Sequence, residues 1–421
     1  MPMIRKWESR VGSPISTPEQ GRFERRALEV LAHPRMQAAV AELHDYWLDM
    51  IKPQPEMRAS FDSKYPEVVF GAIIWSLNTD KERPAVVTIS RIPHQLEGLE
   101  IPGSRWGLDN PDSVYRVIPI DGSERYVIRG RVPNPRLTEN YFTLWTDKMA
   151  TVDVLDGKSL HLDADGRFEI FVDSDEKGNR LDHVRSAPEA KEFYIRDVIM
   201  DWANERVNEL SIERLGAPPK SPERTMDQQV DDAIAMLRLN IDNTARWNRQ
   251  ALDKPVNAFD FTIDRDTDGA LRNQIYVMGH FQLADDEALV VDVGLGGADY
   301  FLAPITNQWG TTNDIQNRTA SLNLNQSVRN GDDTLTYVVS RADPGVHNWI
   351  DPCDMPEGIL TLRWAEFVTG RPGEGFGAKG RVVKLANLKN ELPAETKWVS
   401  PAERADQLKV RAASYAWRVA E

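Results

Sequence analysis

The apolar segment Leu335–Ser340 (LTYVVS) leads directly into Arg341–Asp351 (RADPGVHNWID). A short run of apolar, β-branched and aromatic residues is typical of a strand. Asp343-Pro344-Gly345 is typical of a turn, because Pro presets φ and Gly accepts positive φ. A His, an Asn, a Trp and a second Asp follow within five residues. We therefore predict a strand that ends in a turn and continues into a loop on which a site is built.

Strand patterns also occur on both sides of this segment. Turns that contain Gly, such as Asp121-Gly122 and Asn330-Gly331, separate them. Many short strands with regular turns favour antiparallel sandwiches or barrels over alternating β-α units. The predicted strands are Glu67–Leu77, Ala85–Ile92, Ser113–Pro119, Arg125–Val132, Tyr141–Thr146, Ser159–Asp163, Phe168–Asp173, Ala258–Ile263, Gln274–Gln282, Ala288–Val293, Tyr300–Ile305, Thr334–Ser340 and Ile359–Phe367.

Helical periodicity occurs in three other regions. The first fifty residues read as helix, with Thr17 as N-cap and a break at His33-Pro34. Further helices are predicted at Ser221–Ala251 and Pro401–Val419. The predicted fold is thus mainly β with α: two related antiparallel β-sandwich or barrel-like units with N-terminal, central and C-terminal helices.

The two β regions resemble each other. Asp165–Val172 is similar to Asp332–Val339, and Arg196 ends a strand that is similar to the one ending at Arg363. Both pairs have an offset of 167 residues (332 − 165 and 363 − 196), which indicates two related units, although chance similarity of strand-turn-strand patterns is the alternative. Tyr126–Gly130 is also similar to Ile275–Gly279. The chain is accordingly divided into an N-terminal helical segment (1–60), a first β unit (61–210), a central helix (221–251), a second β unit (252–370), and a linker with the C-terminal helix (371–421).

Composition limits the partners and the compartment. A net charge of −14 over 421 residues argues against a nucleic-acid partner, because phosphate binding needs clustered Lys and Arg. Cys353 is the single cysteine, so no intrachain disulfide forms, as in a reducing compartment. Met1–Arg10 has no apolar core of a secretory signal, and the sequence has no run of about 18 apolar residues that would span a membrane. We expect a cytoplasmic protein without a membrane partner.

The second half of the chain resembles the bacterial family known as domain of unknown function 1214. The similarity covers roughly Asn257–Phe367, with a weaker similarity from Asn110 to Trp202. It implies a β-rich fold and no established reaction. The residues that carry it are Tyr300-Phe301 through Asn307-Gln308-Trp309, Ser321-Leu322-Asn323, Asp343–Asp351, and Gly358 through Leu362-Arg363-Trp364.

The loop provides a candidate catalytic group. His347 titrates near neutral pH, and Asp343 or Asp351 would orient it as a general acid or base. Around it we expect a binding site in which Arg363 and Asn348 hold negative charge. Apolar walls and further contacts would come from Trp309, Trp349, Tyr300 and Asn307.

A structural interpretation of the same residues is the alternative. Asp351 would form a salt bridge with Arg363, and Asn348 would hold the loop through backbone groups. Asp182 and Arg196 stand at the corresponding places in the first unit, which favours this interpretation.

The sequence gives no sign of a metal or cofactor. The seven histidines are dispersed without the close pairs of zinc sites, and the aspartate-rich runs Asp163–Gly166 and Asp264–Gly269 are interpreted as hairpin turns. The leading hypothesis is a cofactor-free acid–base enzyme, a lyase, isomerase or hydrolase, that acts on a small apolar molecule bearing a carbonyl or carboxylate. The alternatives are a non-catalytic protein that binds carbohydrate or an apolar ligand, and an assembly module whose aromatic loops join subunits of a homo-oligomer.

Overall fold

The computed structural model describes residues 13–259 and 274–420, so Met1–Arg10 lies outside the described residues. The α-helices in these residues are α1 (Pro18–Leu31), α2 (Pro34–Ile51), α3 (Pro55–Leu77), α4 (Met226–Leu252), α5 (Leu388–Glu391) and α6 (Pro401–Tyr415). Thr17, Thr225 and Ser400 cap α1, α4 and α6, because each side chain accepts a hydrogen bond from a backbone N–H of the first turn. The predicted N-terminal, central and C-terminal helices are confirmed. No helix within these residues is long and apolar enough to cross a membrane.

The strands fall on either side of α4. Before it lie β1 (Val87–Thr88), β2 (His94–Leu96), β3 (Leu99–Ile101), β4 (Ser113–Pro119), β5 (Arg125–Arg131), β6 (Glu139–Thr146), β7 (Thr151–Asp156), β8 (Arg167–Asp173), β9 (Asp182–Arg185), β10 (Ala190–Val198) and β11 (Glu209–Leu215). After it lie β12 (Gln274–Gln282), β13 (Glu287–Gly294), β14 (Ala298–Thr306), β15 (Ser321–Asn323), β16 (Leu335–Val339), β17 (Trp349–Ile350), β18 (Glu357–Phe367) and β19 (Gly377–Lys384).

Each β unit has two sheets, and the strand order is the same in both units. The first unit has the orders β4-β10-β6-β7, extended by β1 next to β4, and β11-β5-β8-β9. The second unit has the orders β12-β18-β14-β15 and β19-β13-β16-β17. Strand pairing is antiparallel except at two equivalent edges, where β8–β9 and β16–β17 are parallel. In this order β5 is equivalent to β13. Tyr126–Gly130 lies in β5, whereas Ile275–Gly279 lies in β12, so the similarity between these two segments does not join equivalent strands.

The central strands β10 and β18 have equivalent faces. Phe193 and Ile195 of β10 lie in the core between the two sheets of the first unit. Because side chains alternate along a strand, Tyr194 and Arg196 project from the opposite face. In β18 the residue at the place of Arg196 is Arg363, whose neighbours Leu362 and Trp364 lie in the core of the second unit.

The two outward faces meet each other. Val198 at the end of β10 packs in one buried cluster with Tyr300 and Leu302 of β14 and Ala365 of β18. Tyr300, Leu302 and Ala365 are fully buried. Sequence-distant side chains on β10 and β18 are therefore brought together between the units.

The prediction of a strand at Glu67–Leu77 is wrong, because α3 covers this segment. All residues from 67 to 76 are buried, and those from 68 to 75 are apolar, so this part of the helix has no polar face. An apolar run of this kind does not distinguish a buried helix from a buried strand. Gly71 fits close to another segment, since a Cβ atom there would lie 2.4 Å from the Arg105 carbonyl oxygen. The first β unit consequently starts after α3 and not at residue 61.

Other differences concern the loops and the sheet edges. Ser159–Asp163 is not a strand, because a 3-10 turn at Gly157–Ser159 is followed by irregular chain. Asp163–Gly166 forms the predicted turn, in which the Gly166 N–H donates to the Asp163 carbonyl. Within Ala258–Ile263, residues 258–259 are not in a strand, and the rest, like Asp264–Gly269, lies outside the described residues. The edge strands β7, β11 and β19 escaped prediction because most of their residues are partly exposed and lack an apolar alternation.

Candidate functional site

The loop after β16 forms contacts with the C-terminal helix α6. Arg404 of α6 donates from Nε and Nη2 to the Asp343 carboxylate at 2.9 and 3.2 Å. Its guanidinium carbon also lies 5.1 Å from the centre of the Trp349 ring. The His347 N–H donates to the Lys397 carbonyl oxygen at 2.9 Å. Asp343 is therefore engaged by an arginine and does not orient His347.

Asn348 and Trp349 hold backbone groups in place. The Asn348 Oδ1 accepts from the Val328 N–H at 2.8 Å, and its Nδ2 donates to the Val328 carbonyl oxygen at 2.7 Å. The Trp349 Nε1 donates to the Ser340 carbonyl oxygen at 2.9 Å, and the side chain is buried. The role of Asn348 in holding the loop, which the sequence suggested as an alternative, agrees with these contacts.

The second aspartate of the loop pairs with an arginine that the sequence did not indicate. Arg318 donates to both oxygens of Asp351, from Nε at 2.6 Å and from Nη2 at 2.8 Å. The suggested salt bridge between Asp351 and Arg363 is therefore wrong. Its counterpart in the first unit is wrong too, because Asp182 bonds His161 and not Arg196.

His347 lies at the surface, and within the described residues no hydrogen bond or ion pair joins its ring to a carboxylate. It is partly exposed, and burial together with the nearby charges of Lys397 and Arg404 lowers its pKa. Among the described residues, neither Asp343 nor Asp351 forms a hydrogen bond with its ring. The expected His-Asp pair is consequently not assembled.

Asn307 and Trp309 belong to the packing around α3. Trp309 is 1% exposed and its ring lies 4.6 Å from that of Phe61, measured between centroids. The Asn307 Oδ1 accepts from the N–H groups of Trp309 and Thr311, both at 3.0 Å, and so closes a tight turn. Neither residue contacts the His347 loop through a described hydrogen bond.

Arg363 and Tyr300 lie elsewhere, where the two units meet. There Arg363 joins a group that we call the arginine–tyrosine cluster, made of Tyr115, Tyr194, Arg196, Tyr276 and Arg363. Tyr115 stands opposite Arg196 in the β4–β10 pair, and Tyr276 stands opposite Arg363 in the β12–β18 pair. Since β4 and β12 are equivalent, each unit contributes the same tyrosine–arginine pair.

The members of the cluster lie within reach of one another. The ring centres of Tyr115 and Tyr194 are 5.4 Å apart, and the Arg363 guanidinium carbon lies 4.9 Å from the centre of the Tyr276 ring. Burial raises the pKa of Tyr115 to about 12, while the nearby Arg363 and Arg196 oppose this rise. Because both arginines act on the pKa of the same hydroxyl, the positive charges of the two units lie near one point between the units. Tyr276 is partly exposed, whereas the other four members are buried.

The two arginines differ in their partners. Glu139 lies 2.5 Å from Arg196 as a buried counterion, and it also accepts hydrogen bonds from Gln274 of the second unit at 2.6 and 2.7 Å. Arg363 donates from Nη2 to the Leu108 carbonyl oxygen at 2.5 Å. Within residues 13–259 and 274–420 Arg363 has no carboxylate partner. The buried Nε atoms of both arginines have no hydrogen-bond partner among these residues.

Strand register explains why the second unit lacks this counterion. Glu139 stands opposite Val198, two residues after Arg196, in the β6–β10 pair. Tyr300 stands opposite Ala365, two residues after Arg363, in the equivalent β14–β18 pair. Tyr300 thus takes the place of Glu139, and its hydroxyl donates to Asp112 at 3.1 Å.

Sequence reasoning named Arg363 and Tyr300 but missed the three tyrosines and Glu139 of this site. The signal for Arg196 was present, since its offset of 167 residues from Arg363 marked both as equivalent. The tyrosines carried no such signal, because aromatic residues at alternate strand positions are typical of any sheet.

Comparison with solved structures gives a similar fold. No family model matches the chain, and no curated protein matches it. An uncharacterized protein from Burkholderia cenocepacia has a similar crystal structure, with a TM-score of 0.70 and 22% sequence identity, covering 86% of this chain and 99% of that one. A protein from Vibrio parahaemolyticus aligns with a TM-score of 0.42 and 14% identity over 66% of this chain and 90% of its own. The Burkholderia structure supports the mainly β architecture with its helices, and the family resemblance stays a prediction.

Proposed function

We propose that this protein binds a small organic carboxylate at the arginine–tyrosine cluster, with the Arg363 guanidinium as its anchor. The observation that carries the proposal is a buried arginine that no described carboxylate neutralises. A buried cation without a partner is costly, and a carboxylate matches the donor geometry of a guanidinium. An anionic ligand would supply the missing partner.

The comparison between the units supports this interpretation. In the first unit the fold provides its own counterion, Glu139, for Arg196. In the second unit Tyr300 stands at that position, and Arg363 donates a hydrogen bond to a carbonyl oxygen instead of pairing with a carboxylate. The same strand order in both units favours an internal repeat in which one copy kept a structural ion pair and the other became a binding position.

The surroundings favour an apolar body for this ligand. The Trp145 ring stacks on Tyr194, with centres 4.1 Å apart and planes at 13°. Trp75 lies on the same aromatic group, 6.1 Å from Tyr194. Aromatic walls with a few fixed polar groups are the usual composition of small-molecule sites. This agrees with the apolar, carboxylate-bearing ligand expected from the sequence, at a different place in the molecule.

The other hypotheses have less support. Acid–base chemistry at His347 would need a partner that the loop does not provide, since Asp343 and Asp351 face Arg404 and Arg318. An assembly surface formed by Trp309 or Trp349 would need exposed rings, and both are buried. Homo-oligomer formation and a cytoplasmic location stay predictions from the sequence.

Isothermal titration calorimetry with phenylacetate and hexanoate, each compared with its amide, tests the proposal. We expect the acids to bind and the amides to bind at least about tenfold more weakly, because a charge-assisted pair contributes about 1.5–3 kcal/mol. Arg363→Met should weaken acid binding by a similar factor. Arg381→Met is the control, because Arg381 pairs with Asp292 at the surface of β19.

Two results would reject the proposal. One is an absence of binding by every acid of the panel to the wild-type protein. The other is equal affinity of wild type and Arg363→Met for the acids. A circular dichroism spectrum of Arg363→Met that matches wild type shows that any loss of binding is not a loss of fold.

A further inference from the structure

We infer that the protein has a second site, independent of Arg363, at which the side-chain amine of Lys81 forms an imine with a small neutral aldehyde or ketone. The site is a cleft of about 420 Å³ between the segment that follows α3, the turn between β4 and β5, the end of β11 and the segment before α4. This volume lies in the range of small-molecule sites. Three cations, Lys81, Arg214 and Arg224, line the cleft.

Lys81 differs from the other two cations of the cleft. Arg214 lies 3.0 Å from Glu124, and Arg224 lies 2.6 Å from Asp232, so both guanidinium groups have a carboxylate partner. Within residues 13–259 and 274–420, Lys81 forms no ion pair and its side chain donates no hydrogen bond. The amine of Lys81 is therefore not engaged by the fold.

Backbone hydrogen bonds hold Lys81 in place at the cleft. The hydroxyl of the buried Tyr126 donates to the Lys81 carbonyl oxygen at 3.0 Å and accepts from the Asp121 N–H at 2.8 Å. The N–H of the preceding residue, Ile120, donates to the Lys191 carbonyl oxygen at 2.9 Å. These bonds place Lys81, Asp121 and Lys191 next to one another. The Lys81 side chain itself is partly buried.

The surroundings of Lys81 favour the uncharged form of its amine. Burial and the neighbouring Lys191 ammonium lower the pKa of Lys81, whereas Asp121 opposes this change. An ammonium that is partly buried beside a second positive charge loses its proton more readily, and the uncharged amine is the nucleophile that attacks a carbonyl group. Lys191 is thus a positioning residue that acts through Lys81.

The carboxylates of the cleft determine the charge of the carbonyl compound. Glu82 and Asp121 line the cleft and form no ion pair among the described residues. Instead, they accept hydrogen bonds from the Ser221 N–H at 2.8 Å and the Ser123 N–H at 3.0 Å. Two carboxylates without a paired cation disfavour an anion in the cleft, so we expect a neutral aldehyde or ketone.

The reaction needs no oxidant or reductant. The Lys81 nitrogen forms a bond with the carbonyl carbon, and the carbonyl oxygen leaves as water together with the two hydrogens of the amine. The product is an imine, which water hydrolyses back to the amine and the carbonyl compound.

Reductive trapping tests the site. We would incubate the protein at pH 7 with butanal and sodium cyanoborohydride, which reduces an imine to a stable butylated amine, and measure the rate at each lysine by peptide mass spectrometry. We expect Lys81 to react at least about fivefold faster than the exposed Lys409, because a like charge at about 4 Å changes a protonation equilibrium about fivefold in water. The rate at Lys81 should level off as the butanal concentration rises, because the aldehyde binds in the cleft before it reacts. The rate at Lys409 should rise in proportion.

Lys191→Met separates the role of the neighbouring charge from that of the cleft. This variant should slow the reaction at Lys81 about fivefold, because it removes the like charge and retains an unbranched side chain. Lys409→Met, which removes an exposed charge of α6, is the control and should leave the rate at Lys81 unchanged.

Three results would overturn the inference. One is a reaction of Lys81 no faster than that of Lys409. Another is a rate at Lys81 that rises in proportion to the butanal concentration without a plateau. The third is an unchanged rate at Lys81 in a Lys191→Met variant whose circular dichroism spectrum matches wild type. None of these results depends on the binding of acids at Arg363, so the two proposals are tested separately.

Discussion

Asp112 is a carboxylate whose protonation the fold controls. It is fully buried and accepts hydrogen bonds from Trp202 Nε1 at 2.8 Å, Asn323 Nδ2 at 2.9 Å and the Tyr300 hydroxyl at 3.1 Å. Burial raises its pKa from 3.8 to about 6, although these donors and Arg418 oppose the rise. The contacts that Asp112 makes with both β units and with the C-terminal end of the chain therefore depend on pH.

We predict that Asp112 makes the protein less stable as pH rises from about 4 to about 6. The folded state holds the proton more tightly than the unfolded state, so stability from this group is complete below pH 3.8 and is lost as pH rises through about 6. The shift corresponds to about 3 kcal/mol. Urea unfolding of wild type and Asp112→Asn over this pH range measures it.

The difference in unfolding free energy between wild type and Asp112→Asn should decline across the range and stay level above it. A difference that is independent of pH from 4 to 7 would show that Asp112 does not titrate there. The Asp80→Asn variant, at a partly exposed carboxylate paired with Arg83, is the control, and its pH profile should follow wild type.

At the scale of elements, the C-terminal helix is fastened by arginines at intervals of seven residues. Arg404, Arg411 and Arg418, at α6 and the 3-10 turn after it, are all buried. Arg404 holds Asp343, and Arg418 donates from Nη1 to the Pro111 carbonyl oxygen at 2.7 Å. The loop that looked like a site is thus one anchor of this helix, which explains its density of polar groups.

We predict that Arg411→Met destabilises the protein by about 2–4 kcal/mol, because it leaves buried acceptors without donors. Arg411 donates to the Ile315 carbonyl oxygen at 2.7 Å, the Ser321 carbonyl oxygen at 3.0 Å and the Ser321 hydroxyl at 2.9 Å. Burial lowers its pKa to about 10. Guanidinium unfolding, with the exposed Lys409→Met of the same helix as control, measures the effect. Equal midpoints for the two variants would contradict the anchor role.

At the scale of the whole molecule, the two β units present equivalent arginines to each other. Their environments differ, and the proposed binding function rests on this difference. Arg196 is compensated by Glu139, which also bonds Gln274 across the units. Arg363 has no such partner among the described residues.

We predict stability effects of different size for the equivalent substitutions in the absence of ligand. Arg196→Met strands the buried Glu139 and should cost about 3–5 kcal/mol. Arg363→Met removes a buried cation that lacks a counterion and should change stability by less than about 1 kcal/mol. Urea unfolding of both variants measures the contrast. A loss as large for Arg363→Met as for Arg196→Met would mean that Arg363 has a structural role.

The local sequence pattern was sufficient to predict most of the helices and strands. β4 and β12 match the predicted Ser113–Pro119 and Gln274–Gln282, since apolar residues and turns identify a buried strand directly. The segment Glu67–Leu77 was assigned to the wrong element, because the continuous apolar run Val68–Trp75 within it carries neither the period of a helix nor that of a strand. The segment forms the helix α3 because it is buried between the other helices and the first unit, which its sequence pattern alone does not indicate.

The sequence by itself determined the mainly β architecture and the three helical regions, because periodicity and caps are properties of the chain, and its constant offset suggested that Arg196 and Arg363 are equivalent. The tertiary structure alone decided which charges meet. Asp351 could pair with any nearby arginine, and register with packing selected Arg318 over Arg363. Electrostatic partners depend on distances of a few ångströms between residues far apart in the chain, and these are fixed only when the two units pack together.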